Sequence, residues 1–221
     1  SDKGKLSEDI HNKLNFEWVA TSVRERDAIE LLMEPKIKPK LNSNLLRNIP
    51  FNSSINRVND LCSIGRLELK KNQIFLKNIK HKVDLYGALS NEKEYIMRVD
   101  KIQNLSYLGN IDPDKMSQLY SEYRINLLPT FGENYGHVIV ESILSGTPVI
   151  VSDTTPWTSL IRKYKCGEVV DFNPKSWNKA ILKINNDFNS YYKGCSDARS
   201  HFLELNEKVK RKWVNILINN L

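Results

Sequence analysis

The most constraining feature of this sequence is a series of five short apolar runs, each followed by a glycine, a proline or a Ser-Asp turn. The runs cover residues 61–64, 83–86, 105–108, 125–128 and 149–151. Continuous apolar runs are typical of strands buried on both faces, and strands that alternate with helices favour a parallel sheet. We therefore predict an α/β fold, with helices on both faces of a parallel sheet.

Two helices are predicted after the last strand. Trp177, Ile181, Ile184 and Phe188 recur at helical spacing, which is typical of a helix that packs on the core, and a second helix is expected at 199–221. Ligands of parallel sheets bind at the carboxyl ends of the strands. The loops after the apolar runs are therefore the expected location of any functional site.

The first 48 residues have a different organisation. Residues 16–20 indicate a strand, and Ser22 with Glu25 forms an S-x-x-E capping box that would begin a helix through Leu32. Residues 34–50 hold three prolines and follow neither periodicity, which indicates a connector. We therefore predict a boundary that separates residues 1–48 from a domain at 49–221.

The charge and the cysteines limit the partner and the compartment. A formal net charge of +7 favours an anionic partner, either a phosphorylated small molecule, an acidic membrane surface or a nucleic acid. No stripe of Lys and Arg interleaved with aromatic residues indicates nucleic-acid binding. Cys62, Cys166 and Cys195 have neither metal-ligand nor disulfide-framework spacing, which suits a reducing compartment.

One candidate site lies in residues 129–150, which predict a strand, a glycine-bearing loop, a helix and a strand. Gly132 and Gly136 permit close approach of a ligand, and the helix that begins near Gly136 directs its free N–H groups at the loop. Glu133 and Glu141 can line the same cleft. A carboxylate at Glu141 suits the vicinal hydroxyls of a ribose, whereas Glu133 would lie near a sugar and its departing phosphate.

A second candidate site lies in residues 63–72, where a predicted strand ends at Gly65. Arg66 can donate two parallel hydrogen bonds to phosphate oxygens, and Lys71 supplies a compact positive charge. Together they could neutralise a diphosphate without a metal ion. Taken alone, this segment is more typical of a surface loop than of a phosphate site, just as a glutamate in a helix usually faces solvent.

Taken together, the two segments resemble the donor-binding domain of retaining GT-B glycosyltransferases of family four, the glycosyl transferases group 1. The family's G-R-L-x-x-x-K segment is matched by Gly65, Arg66, Leu67 and Lys71, and its E-x7-E element is matched by Glu133 and Glu141. The segments at 134–137 and 152–157 resemble the branch that acts in bacterial surface-polysaccharide assembly. The resemblance extends from about residue 18 to residue 171.

The resemblance implies a Rossmann-like C-terminal half of a GT-B fold, with residues 1–48 as the remnant of an otherwise missing acceptor-side domain and the connector. It implies that Arg66 and Lys71 hold the diphosphate, that Glu141 binds the ribose, and that Glu133 is the catalytic residue at the transferring sugar. The other donor contacts that it implies are Gly65, Gly109, Asn134, Tyr135, Gly136, His137 and Val138, with Leu108 and Asn110 near the base.

The implied activity is sugar transfer from a nucleotide-diphosphate sugar to a saccharide or lipid-linked acceptor, with retention of configuration. No cofactor and no metal are expected, and this chain alone should not transfer sugar. The implied location is the cytoplasm, which is compatible with peripheral contact at the anionic inner face of the membrane. Two alternatives stay open: a GT-B nucleotide-sugar epimerase and a non-catalytic nucleotide-sugar-binding module.

The triplet Asp112-Pro113-Asp114 spells the D-x-D signature of metal-dependent glycosyltransferases with another fold. An aspartate followed by a proline is also a helix start, in which Asp112 is the N-cap and Pro113 the first helical residue. No further carboxylates or histidines accompany the triplet. We therefore predict that it caps a helix and does not bind a metal.

Overall fold

The computed structural model of the chain describes residues 19–20, 23–33, 40–41, 46, 49–52, 54 and 56–218. The chain forms two compact units, one of residues 1–45 with 206–221 and one of residues 46–205. None of the helices in the described ranges is both long and apolar enough to cross a membrane.

The first unit contains a small parallel pair of strands. Strand β1 (Val19–Ala20) pairs with β2 (Lys40–Leu41), and helix α1 (Val23–Met33) lies between them in sequence. The helix is where the sequence predicts it, but β2 lies within the segment predicted as a connector. Ser22 of the predicted capping box lies outside the described residues, as do Pro35 and Pro39 of the connector.

The second unit contains a six-stranded sheet in which all neighbouring strands are parallel. The order of its strands is β5-β4-β3-β6-β7-β8. The strands are β3 (Asn59–Ile64), β4 (Val83–Tyr86), β5 (Leu105–Tyr107), β6 (Tyr123–Leu128), β7 (Val149–Ser152) and β8 (Gly167–Val170). The predicted α/β fold with a parallel sheet is therefore confirmed.

Helices connect the strands, as parallel pairing requires. They are α2 (Lys93–Asp100), α3 (Met116–Glu122), α4 (His137–Leu144), α5 (Thr158–Tyr164), α6 (Pro174–Asn186) and α7 (Phe188–Ile218). Between β3 and β4, two 3-10 segments, Leu69–Lys71 and Gln73–Asn78, stand in place of an α-helix. Helix α7 begins well before residue 199, where the sequence predicted its start.

Alternate residues of the strands face two separate cores. Ile150 of β7 belongs to a cluster with Trp177 and Ile181 of α6, whereas Val149 and Val151 belong to another with residues of α4. Each face of the sheet is thus covered by helices, and the predicted stripe of Trp177, Ile181, Ile184 and Phe188 is fully or nearly fully buried. A sheet covered on both faces leaves its carboxyl edge as the place for a ligand.

The strand order changes direction between β3 and β6, which are neighbours in the sheet but not in sequence. The connection after β3 leads towards one side of the sheet, and the connection after β6 leads towards the other. In open parallel sheets this divergence creates a crevice at the carboxyl ends of the two strands. The loops that leave β3 and β6 are the two candidate segments of the sequence.

Candidate functional site

Three glycines lie side by side at the carboxyl edge of β3, β4 and β5. Gly65 N–H donates to the Tyr86 carbonyl at 2.9 Å, and Gly87 N–H donates to the Gly109 carbonyl at 2.9 Å. A Cβ atom on Gly87 would lie 2.1 Å from the Gly65 carbonyl oxygen, so only glycine permits this approach. The glycines bring the ends of three strands into one continuous backbone edge. Gly65 and Gly109, both predicted donor contacts, are therefore part of the same edge.

The loop after β3 presents two cations in different ways. Arg66 has 67% of its side chain exposed, and its Nη2 atom lies 3.5 Å from Glu68. Lys71, which ends the first 3-10 segment, has only 14% of its side chain exposed. The Arg66 guanidinium is exposed beside the Glu68 carboxylate, whereas the Lys71 side chain is held against the protein.

The loop after β6 is tied to the loop after β3 through the backbone. The Phe131 N–H donates to the Lys70 carbonyl at 2.9 Å, and Thr130 Oγ1 donates to the same oxygen at 3.1 Å. The Thr130 carbonyl in turn accepts from Ser152 Oγ and from Thr154 Oγ1. These bonds join the three loops that follow β3, β6 and β7, although no sequence pattern indicates them.

An ion pair crosses the crevice between β3 and β6. Lys71 Nζ donates to Glu133 Oε1 at 2.6 Å, and their side chains are only 14% and 7% exposed. A hydrogen-bonded ion pair sheltered from water is stronger than one on an open surface. The two residues come from the two separate candidate motifs, which the fold therefore brings into direct contact.

Helix α4 begins directly after this pair. Gly136 caps it with a left-handed backbone (φ 78°), a conformation that favours glycine. A Cβ atom there would lie 3.1 Å from Ile139 Cδ1 and 3.5 Å from Glu133 Cβ. The glycine therefore lets the first turn of the helix lie close to Glu133.

The other predicted contacts at this helix start differ in what they expose. Asn134 and His137 are exposed, and Val138 is half-buried. Tyr135 is 6% exposed, its ring packs edge-on against Trp157, and its carbonyl accepts from Trp157 Nε1. Burial also raises the pKa of Tyr135 to about 12, so its hydroxyl stays protonated at neutral pH. Because the Tyr135 side chain is buried, a ligand contact of this residue would come from its backbone.

Glu141 does not share a cleft wall with Lys71 and Glu133 in the structure. It is half-buried on α4, in the wall of a cleft of about 670 Å³ that also contains residues of α3 and of the segment 49–52. Burial, and then the nearby charge of Glu141, raise the pKa of the Tyr120 hydroxyl. The cleft is also lined by Pro50, Phe51, Asp114, Met116, Ser117 and Ser121.

The D-x-D triplet has the capping geometry that its sequence predicts. The Asp112 side chain accepts a hydrogen bond from the Asp114 N–H at 3.0 Å, and Pro113 is the first residue of a 3-10 turn. Leu108 and Asn110, expected near a nucleotide base, are exposed on either side of Gly109 after β5.

Residues 47–193 match the family described as Glycosyl transferases group 1. The match covers more than half of the chain, including both motifs that meet across the crevice. The chain belongs to the glycosyl transferases group 1. The family relationship thus accounts for the resemblance of the two motifs.

Curated relatives are similar to parts of this chain. An uncharacterized 41.2 kDa protein in the cps region of Klebsiella pneumoniae is 23% identical over 165 residues, which are 73% of this chain and 42% of that protein. A D-inositol 3-phosphate glycosyltransferase of Corynebacterium jeikeium is 25% identical over 156 residues, which are 62% of this chain and 36% of that enzyme. The chain thus spans less than half the length of these relatives.

Solved GT-B glycosyltransferases share the fold. TarM matches 97% of this chain with a TM-score of 0.75 and 19% identity, over 46% of its own chain. Anabaena Alr3699/HepE, in complex with UDP and glucose, matches 96% with a TM-score of 0.76 and 16% identity, over 66% of its own chain. At these identities the similarity concerns the fold alone.

Proposed function

We propose that this chain binds the nucleotide-sugar donor of a retaining glycosyltransferase. The observation that carries the proposal is the Lys71–Glu133 ion pair, which joins the two family motifs at the crevice between β3 and β6. Ligands of open parallel sheets bind at this kind of crevice. The same place offers positive charge for a diphosphate and a carboxylate for a sugar.

Each charged group has a separate task in this proposal. Arg66 and Lys71 neutralise the charge that develops on the departing nucleoside diphosphate, together with the N–H groups at the start of α4. Glu133 accepts hydrogen bonds from hydroxyls of the transferring sugar while Lys71 orients its carboxylate. Glu141 accepts hydrogen bonds from the ribose in the cleft that Glu141 lines.

The wider activity is also a proposal, since the chain spans only part of its relatives. We propose transfer to a saccharide or lipid-linked acceptor in bacterial surface-polysaccharide assembly, in line with the cps-region relative. Residues 1–48 would belong to the acceptor-side domain and its connector, so this chain binds donor but leaves transfer to a longer protein. The net charge of +7 is compatible with a cytoplasmic protein at an anionic membrane face.

Transfer is favoured over the epimerase and the non-catalytic module by the match of residues 47–193 to the glycosyl transferases group 1. TarM and the pneumococcal O-GlcNAc transferase GtfA, which was solved with UDP and GlcNAc, share the fold with TM-scores of 0.75 and 0.73. An epimerase would need an acid and a base of its own beside the sugar. The sheltered Lys71–Glu133 pair is better suited to holding charge than to shuttling protons.

We expect UDP, GDP or ADP to bind this chain with no divalent metal, because Arg66, Lys71 and the start of α4 already supply positive charge. Isothermal titration calorimetry should give the same dissociation constant in EDTA as in MgCl₂. The same samples, given a sugar nucleotide and an acceptor, should bind donor without forming product. Binding that requires Mg²⁺ or Mn²⁺ would contradict the proposed charge arrangement.

We expect Glu141→Gln to weaken binding of the preferred nucleoside diphosphate by about 2 kcal/mol, the range for a hydrogen bond to a charged group. Calorimetry with the ribose form and the 2′,3′-dideoxyribose form of the nucleotide should locate the effect, since only the ribose form loses affinity. Asp114→Asn is the matched control, because Asp114 lines the same cleft but is assigned no ribose contact. An equal loss for both nucleotides would argue against a ribose contact.

A further inference from the structure

The buried side-chain amide of Gln73 donates a hydrogen bond to the backbone of Arg66. Gln73 is 2% exposed, and its Nε2 atom donates to the Arg66 carbonyl at 2.8 Å. Its Oε1 atom accepts from the Tyr95 hydroxyl at 2.8 Å, and this hydroxyl also accepts from the Ile74 N–H at 3.3 Å. The amide thus connects α2, which carries Tyr95, to the residue that presents the exposed guanidinium.

The hydrogen bonds from Tyr95 to Gln73 and from Gln73 to Arg66 have a fixed donor direction at neutral pH. Tyr95 is 4% exposed, and burial raises its pKa to about 12, so the hydroxyl remains a donor. Gln73 Oε1 must accept the hydrogen bond from this hydroxyl, which leaves Nε2 as the atom that faces Arg66. A buried side-chain amide with both ends satisfied orients its partners more strictly than an apolar side chain would.

Two further hydrogen bonds hold the loop that follows Arg66. The Leu67 N–H donates to the Ala88 carbonyl at 3.0 Å, and the Leu69 N–H donates to Glu92 Oε2 at 2.6 Å. The Arg66 side chain, by contrast, is 67% exposed. The backbone on either side of Arg66 is therefore fixed while its guanidinium stays accessible, which is the arrangement of a preorganised binding group.

We infer that Gln73 is a positioning residue of the diphosphate site: its bond to the Arg66 carbonyl aims the guanidinium at the phosphates, with Tyr95 holding the amide. The inference rests on the proposed function. Gln73 touches no ligand in this arrangement and acts only through Arg66. Its effect on binding must therefore disappear when the guanidinium is removed.

The test is a double-mutant cycle between Gln73 and Arg66, with UDP affinity measured by calorimetry and folding checked by thermal unfolding. Gln73→Met should weaken UDP binding about tenfold, within the range for coupled residues of one network. In an Arg66→Ala background the same substitution should change UDP affinity little. Uridine, which has no phosphate, should bind the unaltered chain and the Gln73→Met variant equally.

Asn104→Leu is the matched control. The Asn104 side-chain amide also donates to backbone carbonyls, those of Leu76, Ile79 and His81, but none of them belongs to Arg66. It should lower the melting temperature without a loss of UDP affinity. Tyr95→Phe removes the hydrogen bond from the Tyr95 hydroxyl to the Gln73 amide. If Gln73→Met does not fold, Tyr95→Phe takes its place in the cycle.

The outcomes separate this inference from the proposed function. An equal loss of UDP affinity from Gln73→Met in both backgrounds, or a comparable loss from Asn104→Leu, would mean a general structural role and overturn the inference alone. If the unaltered chain bound none of UDP, GDP and ADP, the proposed function would fall and the inference with it.

Discussion

Replacement of Lys71 by methionine is expected to lower both the stability and the nucleotide affinity of this chain. Removing one member of a sheltered ion pair leaves the Glu133 carboxylate uncompensated, at a cost of about 3 kcal/mol in the free energy of unfolding. UDP binding should weaken by about 2–5 kcal/mol, the range for loss of a buried charged partner. Chemical denaturation and calorimetry measure the two effects.

The neighbouring lysine provides the control for this prediction. Lys70 contributes its carbonyl to Phe131 and Thr130, and its side chain is exposed, so Lys70→Met should leave both quantities nearly unchanged. The double variant Lys71→Met/Glu133→Leu should regain stability, because an apolar pair replaces the ion pair, but not UDP affinity. Equal loss of affinity at Lys70 and Lys71 would indicate diffuse surface attraction and not a site.

Gly87→Ala is expected to destabilise the chain by about 4 kcal/mol, through a backbone clash and a disfavoured conformation. The new Cβ atom would lie 2.1 Å from the Gly65 carbonyl oxygen, and Gly87 has a φ of +141°. Neither the carbonyl nor the strand end behind it can yield without disturbing the Arg66 loop. Denaturant unfolding followed by tryptophan fluorescence measures the loss.

Gly109→Ala separates the two causes. Gly109 also has a positive φ, +99°, but a Cβ atom there would meet no atom within 4 Å. Its substitution should therefore cost only the backbone strain, about 1–2 kcal/mol. Similar losses at Gly87 and Gly109 would be inconsistent with close contact between the ends of β3 and β4.

The sequence predicts five of the six strands of the sheet and misses β8. The run at 149–151 lies within β7, because a strand buried on both faces leaves a continuous apolar signature. Strand β8 was missed, since Gly167 and Glu168 open it and three of its four residues are only half-buried at the edge. The start of α7 was misplaced because Phe188, its first residue, continues the apolar spacing of α6. Only Asp187 separates the two helices.

The two motifs of the candidate site could be found in the sequence, but their contact could not. Lys71 and Glu133 meet because β3 and β6 are neighbours, and no local pattern encodes strand order. Gln73 was missed for a similar reason. Its role depends on hydrogen bonds to Arg66 and Tyr95, and no sequence pattern distinguishes it from other polar residues. The assignment of residues 1–48 to an acceptor-side domain stays a prediction.

The bond between the Phe131 N–H and the Lys70 carbonyl joins the two site loops without using any side chain of either residue. This contact between the two loops therefore does not depend on which side chains stand at positions 70 and 131. Four residues in the loops after β3 and β6 have exposed side chains: Leu69, Lys70, Phe131 and Asn134. Evolution can consequently exchange them to suit a different sugar or base while the loops keep their positions, so donor preference can diverge faster than the fold that supports it.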